Sequence, residues 1–509
     1  MKRTNFQEAF RVLTASVFLA ASVLFVSCAS AKESGMAKRP NFILILSDDQ
    51  GWDGLSVSMH PEVAASKSPV CETPNLERLA AQAMRFSNAY APAPVCSPTR
   101  ISIQTGKSPA QVHWTQAAPS MTAADGYPLV PPSQHRSIAP ESVTIGNLLK
   151  SAGYGTAHYG KWHLSGGGPG NFCYDEHDGD TGNEDAAPFV DPNPVDIFGM
   201  STRACQFMEK NVAAGRPFYI QLSYNALHYS ENALKSTIEK YRAKMPNATE
   251  RVITRAAITE NLDSGVGQVL ATVETLGVAD QTYVIYMSDN GSGGGGKGAR
   301  GGLSGGKGAL AEGGIRVPFI IRGPGIPANS WCHVPIVGYD LLPTLCSLAG
   351  VEGALPVGLE GGNIAPLFAD GTGEVSRPLP GLLFHFPHYQ GSNTPQSAIR
   401  VGDFKLLKFY ETGELQLYNL TTDISEQHNL TASMPEKTSE LAALLESRLR
   451  AVGAGLPEKN PQYDPSKPPS GRASRIAGEA GKAQRSGKSG NGGAGEKKVQ
   501  GMKKQKPVQ

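Results

Sequence analysis

Four places in this chain set carboxylate, amide, ammonium or imidazole groups behind short strand candidates. Asp48 and Asp49 follow the run at 41–46, and Lys161 and His163 follow 156–159. His228 follows 217–222, and Asp289 and Asn290 follow 283–287. Asp48, Asp49 and Asp289 with the amide of Asn290 make an all-oxygen donor set. Three carboxylates in one crevice repel unless a cation sits among them. Hard oxygen donors favour Ca²⁺ or Mg²⁺ over zinc. Each pair also has a plain structural alternative, Asp48-Asp49 as a helix cap and Asp289-Asn290-Gly291 as a turn. Their joint placement argues for chemistry, because ligands of open α/β sheets sit beyond the carboxyl ends of the strands.

The elements that must position these groups read as an α/β protein. The run at 41–46 suits a strand buried on both faces of a parallel sheet. Further strands are predicted at 156–159, 217–222, 283–287 and 317–321. Helices are predicted at 145–150 and 251–276, and from Thr73-Pro74 with Thr73 as cap and Pro74 at the first position. Strands alternating with helices over this length imply a mainly parallel sheet flanked by helices. From about 380 the pattern changes to short strands at 398–401, 404–407 and 415–418, then a helix at 436–452. This predicts a smaller C-terminal antiparallel sheet plus helix.

The pivot is Cys96, in Pro94-Val95-Cys96-Ser97-Pro98-Thr99-Arg100 with Thr105-Gly106 downstream. This stretch resembles the C-x-P-x-R signature of the formylglycine-dependent sulfatases, arylsulfatase-type members of the alkaline-phosphatase-like superfamily. A second sulfatase signature matches Gly153-Tyr154-Gly155-Thr156 leading to Gly160-Lys161-Trp162-His163. A third matches Gly306-Lys307-Gly308-Ala309-Leu310 with Glu312-Gly313-Gly314. The likeness runs over roughly 40–430 and includes Arg400-Val401-Gly402-Asp403-Phe404-Lys405-Leu406. Three positions depart from the pattern: Gln104 where an apolar residue is preferred, Tyr159 where a smaller one is usual, and Ser230 where proline is common.

The resemblance implies an alkaline-phosphatase-like fold and hydrolysis of sulfate esters. It implies that Cys96 becomes formylglycine (3-oxoalanine), made by a formylglycine-generating maturation enzyme. It also implies that Asp48, Asp49, Asp289 and Asn290 hold one Ca²⁺, with residue 96 as a further ligand. Arg100, Lys161, His163, His228 and Lys307 would then line the sulfate pocket. An aldehyde hydrate carries two hydroxyls on one carbon. One attacks sulfur, and the other expels sulfate as the aldehyde re-forms. Asp289 would serve as base, and Arg100, Lys161 and Lys307 would offset charge on the sulfuryl oxygens. His228 would protonate the leaving oxygen, and His163 would take the proton in the release step.

Other signals are weaker. Gly291 to Gly296 before Lys297, and Gly301 to Gly306 before Lys307, resemble phosphate loops. Both place glycine where the magnesium-binding hydroxyl belongs, so a glycine-rich lid is the plainer reading. Phe384-His385-Phe386-Pro387-His388-Tyr389 and His113-Trp114 are candidates for an outer sugar subsite or for core packing. Residues 459–509 hold 12 Lys or Arg and 3 Asp or Glu. The rest carries 35 basic and 42 acidic residues, a net of −7. The body is mildly acidic and argues for no nucleic-acid partner.

Lys2, Arg3 and Arg11 precede an apolar run at 12–26 of signal-peptide length. Ala29-Ser30-Ala31 resembles a cleavage site, and Val26-Ser27-Cys28 a bacterial lipoprotein site with Cys28 as anchor to membrane lipid. Export to the periplasm, the outside or an outer-membrane lipoprotein follows. Of the seven cysteines, those apart from Cys28 and Cys96 are expected to form one or two bridges. The expected division is signal peptide 1–31, sulfatase catalytic domain 40–375, small α+β subdomain 376–458 and disordered basic tail 459–509. The preferred substrate is a sulfated carbohydrate. The competing readings are a phosphonate or phosphate ester hydrolase of the same superfamily and a non-catalytic protein that binds sulfated glycans.

Overall fold

The computed structural model describes residues 39–117, 126–228, 232–292 and 302–467. The leader with Cys28, Ser230, Lys297 and the tail beyond 467 lie outside them. Among the described residues no helix is long and apolar enough to cross a membrane.

One eight-stranded sheet organises the protein. Its strands are β1 (Asn41–Ser47), β2 (Met84–Phe86), β3 (Gly155–Gly160), β4 (Glu176–His177), β5 (Phe218–Ser223), β6 (Thr282–Ser288), β7 (Phe319–Arg322) and β8 (Ser330–Cys332). Their order is β8-β2-β7-β6-β1-β5-β3-β4. The five from β6 to β4 run parallel, and β7 alone runs against its neighbours. β1 is central and buried at every position. Ile43 and Ile45 join one apolar core, while Phe42, Leu44 and Leu46 join the other. A strand covered on both faces has no polar alternation, as its sequence shows.

Helices cover both faces. Those that matter here are α1 (Pro74–Ala81), α2 (Cys96–Thr105), α3 (Ile145–Ser151), α4 (Ile197–Ala213), α5 (Glu250–Thr275) and α6 (Leu341–Ala349). All ten residues of α2 are buried, and it stops at Gly106, whose φ of 68° is a left-handed cap. Pro74 does open α1, but Thr73 does not cap it with its side chain. Its hydroxyl is taken by Ser56, and Asp263 of α5 accepts the Asn75 and Leu76 N–H groups at 3.0 and 2.8 Å. A distant carboxylate has displaced the local cap.

The C-terminal sheet is antiparallel, β9 (Leu382–Phe386), β10 (Gln396–Val401), β11 (Phe404–Phe409) and β12 (Leu415–Asn419), with helix α7 (Pro435–Ala451) against it. Phe384, Phe386 and Ala398 pack on Tyr90, Val95 and Ile315 of the main body. Leu383, Ile399 and Leu406 face the α7 residues Leu441, Leu445 and Leu449. Glu458–Lys459 then pair with Leu129–Val130, so the described chain runs past 459.

Two expectations change here. The segment 384–389 is no outer subsite, because its aromatic rings and imidazoles are buried. His385 bonds Ser397 Oγ at 2.6 Å and the Gly455 carbonyl at 2.8 Å, and His388 bonds Thr115 Oγ1 at 2.7 Å. The six described cysteines are all free thiols, so the expected bridges do not form among them. Cys205, Cys332 and Cys346 are buried among apolar side chains.

The two histidines make stability depend on pH. Burial pushes His385 down to about 4 and His388 down to about 3. The unfolded chain protonates them near 6.5, while the folded chain resists until well below that. Stability is intact above pH 6.5 and drains as pH falls toward 4. The loss is on the order of 3 kcal/mol for His385. Urea midpoints from pH 7 to 4 should show this slope, and His385→Gln should flatten it; an unchanged slope counts against the assignment.

Candidate active site

The ends of β1, β3, β5 and β6 lie along one edge of the sheet because these strands are parallel. Beyond β1, Asp48 N–H donates to Ala226 O at 2.8 Å and Leu227 N–H donates to Asp48 O at 2.6 Å. The turn after β5 is thereby stitched to the turn after β1. Asp49 adopts φ 58°, a left-handed conformation that costs on the order of 1–2 kcal/mol for a residue with a Cβ. Arg255 of α5 holds it there, donating to Asp49 O and, at 2.8 Å, to Leu227 O. The sequence reading missed Arg255. Its only signal is an arginine four residues after Arg251, on the same face of the predicted helix.

Cys96 is the first residue of α2, behind an extended Val95. Its Sγ lies 3.5 Å from Asp48 Oδ1 and 3.6 Å from Lys307 Nζ. Lys307 arrives on the segment before β7. Gly308 N–H donates to Pro94 O at 2.9 Å, tying that segment to the loop before Cys96. Tight backbone packing explains its glycines: a Cβ on Gly314 would lie 2.0 Å from Ala309 O.

The ligand atoms of Asp48, Asp49, Cys96 and Asp289 all lie within 4.8 Å of one another, and all four residues are buried. Arg100 Nε and Nη2 donate to Asp289 Oδ2 at 3.1 and 2.7 Å, and Nη1 donates to Lys161 O at 2.6 Å. Lys161 Nζ donates to Asp48 Oδ2. Lys307 Nζ lies 2.7 Å from Asp49 Oδ1. Three carboxylates thus face three side-chain cations, so their mutual repulsion does not by itself demand an ion. What fits a divalent ion is the oxygen set with Asn290, whose Nδ2 donates to Asp49 Oδ1 at 2.7 Å. Its Oδ1 is buried with no hydrogen-bond partner among the described residues. A buried acceptor left unmatched costs about 1–3 kcal/mol, and a hard cation would satisfy it.

The charges shift one another. Burial alone would push Asp48 up, but Lys161 and Arg100 outweigh it and hold the carboxyl well below the usual range. Asp289 is pushed up to about 6 by burial and then by Asp48, against Arg100. Burial, reinforced by Asp48, pushes the Cys96 thiol up to about 12. That thiol stays protonated at neutral pH, unlike the low-pKa cysteines that act as thiolates. His163 has φ 57° and is pushed down to about 2 by burial and then by Lys161 and Arg100. It rests as a neutral imidazole. His228 is also pushed down, by burial foremost, so it too rests neutral. Asp48, Asp49, Cys96, Arg100, Lys161, His163, His228, Asp289, Asn290 and Lys307 thus gather at this edge.

The two departures among the described residues are accommodated. Gln104 is buried but satisfied, donating to Gln221 Oε1 at 2.7 Å and accepting from Tyr174 at 3.0 Å. Tyr159 is 3% exposed and donates its hydroxyl to Glu176 at 2.8 Å.

The family model described as Sulfatase matches residues 40–351, and the model N-sulphoglucosamine sulphohydrolase, C-terminal, matches 306–454. Arylsulfatase A of Homo sapiens is 28% identical, over 81% of this chain and 87% of its own. N-acetylgalactosamine-6-sulfatase of Sus scrofa is 29% identical, over 69% of this chain and 70% of its own. The solved structure of Ps i-CgsB in complex with k-i-k-neocarrahexaose shares the fold with a TM-score of 0.66. It is 23% identical and covers 88% of this chain and 99% of that one. The chain therefore belongs to the sulfatase family of the alkaline-phosphatase-like superfamily and is a sulfuric ester hydrolase.

Proposed function

We propose that this sulfatase removes sulfate from sulfated carbohydrates, using formylglycine made from Cys96 and one Ca²⁺. The observation that carries this is the buried cluster in which Cys96 meets Asp48, Asp49 and Asp289, ringed by Arg100, Lys161 and Lys307. A thiol pushed up to about 12 is a poor nucleophile as encoded, which favours its conversion. Once converted, residue 96 would as its hydrate offer one hydroxyl for attack on sulfur and a second for release of sulfate. Asp48, Asp49, Asp289 and Asn290 would hold the calcium, which polarises sulfuryl oxygens and lowers the pKa of the attacking hydroxyl.

The chain's own residues do the rest. Arg100, Lys161 and Lys307 stabilise charge on the sulfuryl oxygens. Asp289, with its raised pKa, accepts the proton of the attacking hydroxyl. His163, neutral and buried, takes the proton in the release step. His228 must gain a proton before it can give one to the leaving oxygen. The negative charge of a bound ester favours that gain, against the lysines that oppose it.

Carbohydrate specificity draws support from a relative named for N-acetylgalactosamine 6-sulfate and a neighbour solved with a carrahexaose. Catalysis is assigned to residues 40–375, with 376–458 as a supporting subdomain. The leader assigns the protein to the exported fraction. Mass spectrometry of the peptide holding residue 96 tests the nucleophile, since conversion removes the sulfur. Paired rates on aryl sulfate and aryl phosphonate test the ester class. Chelation should lower activity at least about tenfold and Ca²⁺ should restore it; full activity of the stripped protein rules the ion out.

A further inference from the structure

A cavity of about 440 Å³ opens beside the catalytic cluster, with Asp49 and His228 on its wall. Sites for small ligands span on the order of 300–1,000 Å³, so this one has room for part of a leaving group. Val70, Leu227, Val252 and Ala256 give it an apolar lining, and two arginines of α5, Arg251 and Arg255, reach it.

The two arginines are not equivalent. Arg255 is committed to the backbone of Asp49 and Leu227. Arg251, one turn earlier on the same helical face, is exposed and takes no hydrogen bond or ion pair from any described residue. Its neighbour Glu250 is engaged by Arg242 at 2.8 Å. The other acid lining the cleft beside Asp49 is Asp53, and it is already engaged. The cleft therefore carries Asp49 and His228 of the catalytic cluster, an apolar lining and an uncommitted guanidinium.

We propose that Arg251 is a specificity-determining residue that binds a second anionic group on the leaving-group side of the substrate. The ligand class is a carbohydrate carrying the reacting sulfate ester and a further sulfate or carboxylate. Guanidinium presents its donors in a fork that matches either group. This inference rests on the carbohydrate reading above, and the test separates the two.

Initial rates are measured with the calcium-loaded enzyme on three disaccharides sharing one sulfate ester, with a second sulfate, with a uronate carboxylate, or with neither. 4-Nitrophenyl sulfate is the reference. Wild type should prefer a doubly anionic disaccharide, and the sulfate and carboxylate arms identify which anion is bound. Arg251→Ala should raise KM for the preferred one about tenfold with little change in kcat. Arg251→Lys should recover part of the loss and Arg251→Glu deepen it. Equal losses on the charged and neutral disaccharides, or no preference in wild type, overturn the inference alone. Cleavage of 4-nitrophenyl sulfate with no cleavage of any disaccharide overturns the carbohydrate reading and this inference together.

Discussion

Replacing Cys96 with alanine is expected to lower kcat on 4-nitrophenyl sulfate by about 10⁴-fold or more, the scale seen when a covalent nucleophile is removed. The methyl group offers no oxygen to attack sulfur. Folding should be little affected, because the polar contacts of Cys96 Sγ among the described residues are the long ones to Asp48 and Lys307 at 3.5 and 3.6 Å. Circular dichroism and the urea midpoint should therefore stay near wild type while turnover vanishes. Cys96→Ser distinguishes the mechanism more finely. A serine hydroxyl attacks once, but the ester it forms has no second hydroxyl on the same carbon to expel sulfate. One equivalent of nitrophenol released per enzyme and then arrest is the expected trace. Steady turnover by either variant defeats the assignment of residue 96.

Lys405→Met should cost about 3–5 kcal/mol of stability, as expected when one partner of a buried ion pair is removed. Lys405 Nζ lies 2.8 Å from both Glu312 Oε1 and Glu426 Oε1, and all three side chains are buried. Burial alone would push Glu312 up, yet Lys405 and Arg316 outweigh it and hold it at about 2. Glu312 keeps Arg316 at 2.6 Å and Tyr90 at 2.8 Å after the change. Glu426 loses its only cation among the described contacts, so it carries most of the penalty. Lys405→Met with Glu426→Gln should regain part of the loss. The measurement is equilibrium urea unfolding at pH 7; a loss below about 1 kcal/mol shows that the network is not what docks β11 onto the body.

β1 and β6 were legible as continuous apolar runs, the pattern of a sheet covered on both faces, whereas β3 with Thr156 and His158 and β5 with Gln221 gave a weaker signal. Their polar followers were legible for the same reason, since parallel strands deliver all their ends to one edge. The signatures around Cys96, Lys161 and Lys307 added residues from loops that periodicity does not reach. Elsewhere local pattern competed with tertiary contact and lost. The segment 384–389 reads as ligand-rich because its imidazoles are there to bond Ser397, Gly455 and Thr115 inside the protein. Thr73 reads as a cap, but the cap comes from Asp263 nearly two hundred residues away. α4 and α6 went unread, and so did Arg255, whose role lies in backbone carbonyls it meets only after folding.

The pairing of Asp48, Asp49 and Asp289 with Lys161, Lys307 and Arg100 sets an order of events. With every acid matched by a base, the crevice is complete and electrically quiet as soon as the chain folds, so assembly need not wait for a metal. A divalent ion bound there afterwards would make the crevice net positive by two charges. An anionic ester would then meet a strongly attractive field. Affinity for substrate would thus report ion loading, and the salt sensitivity of KM should be steep for the loaded enzyme and shallow for the bare one.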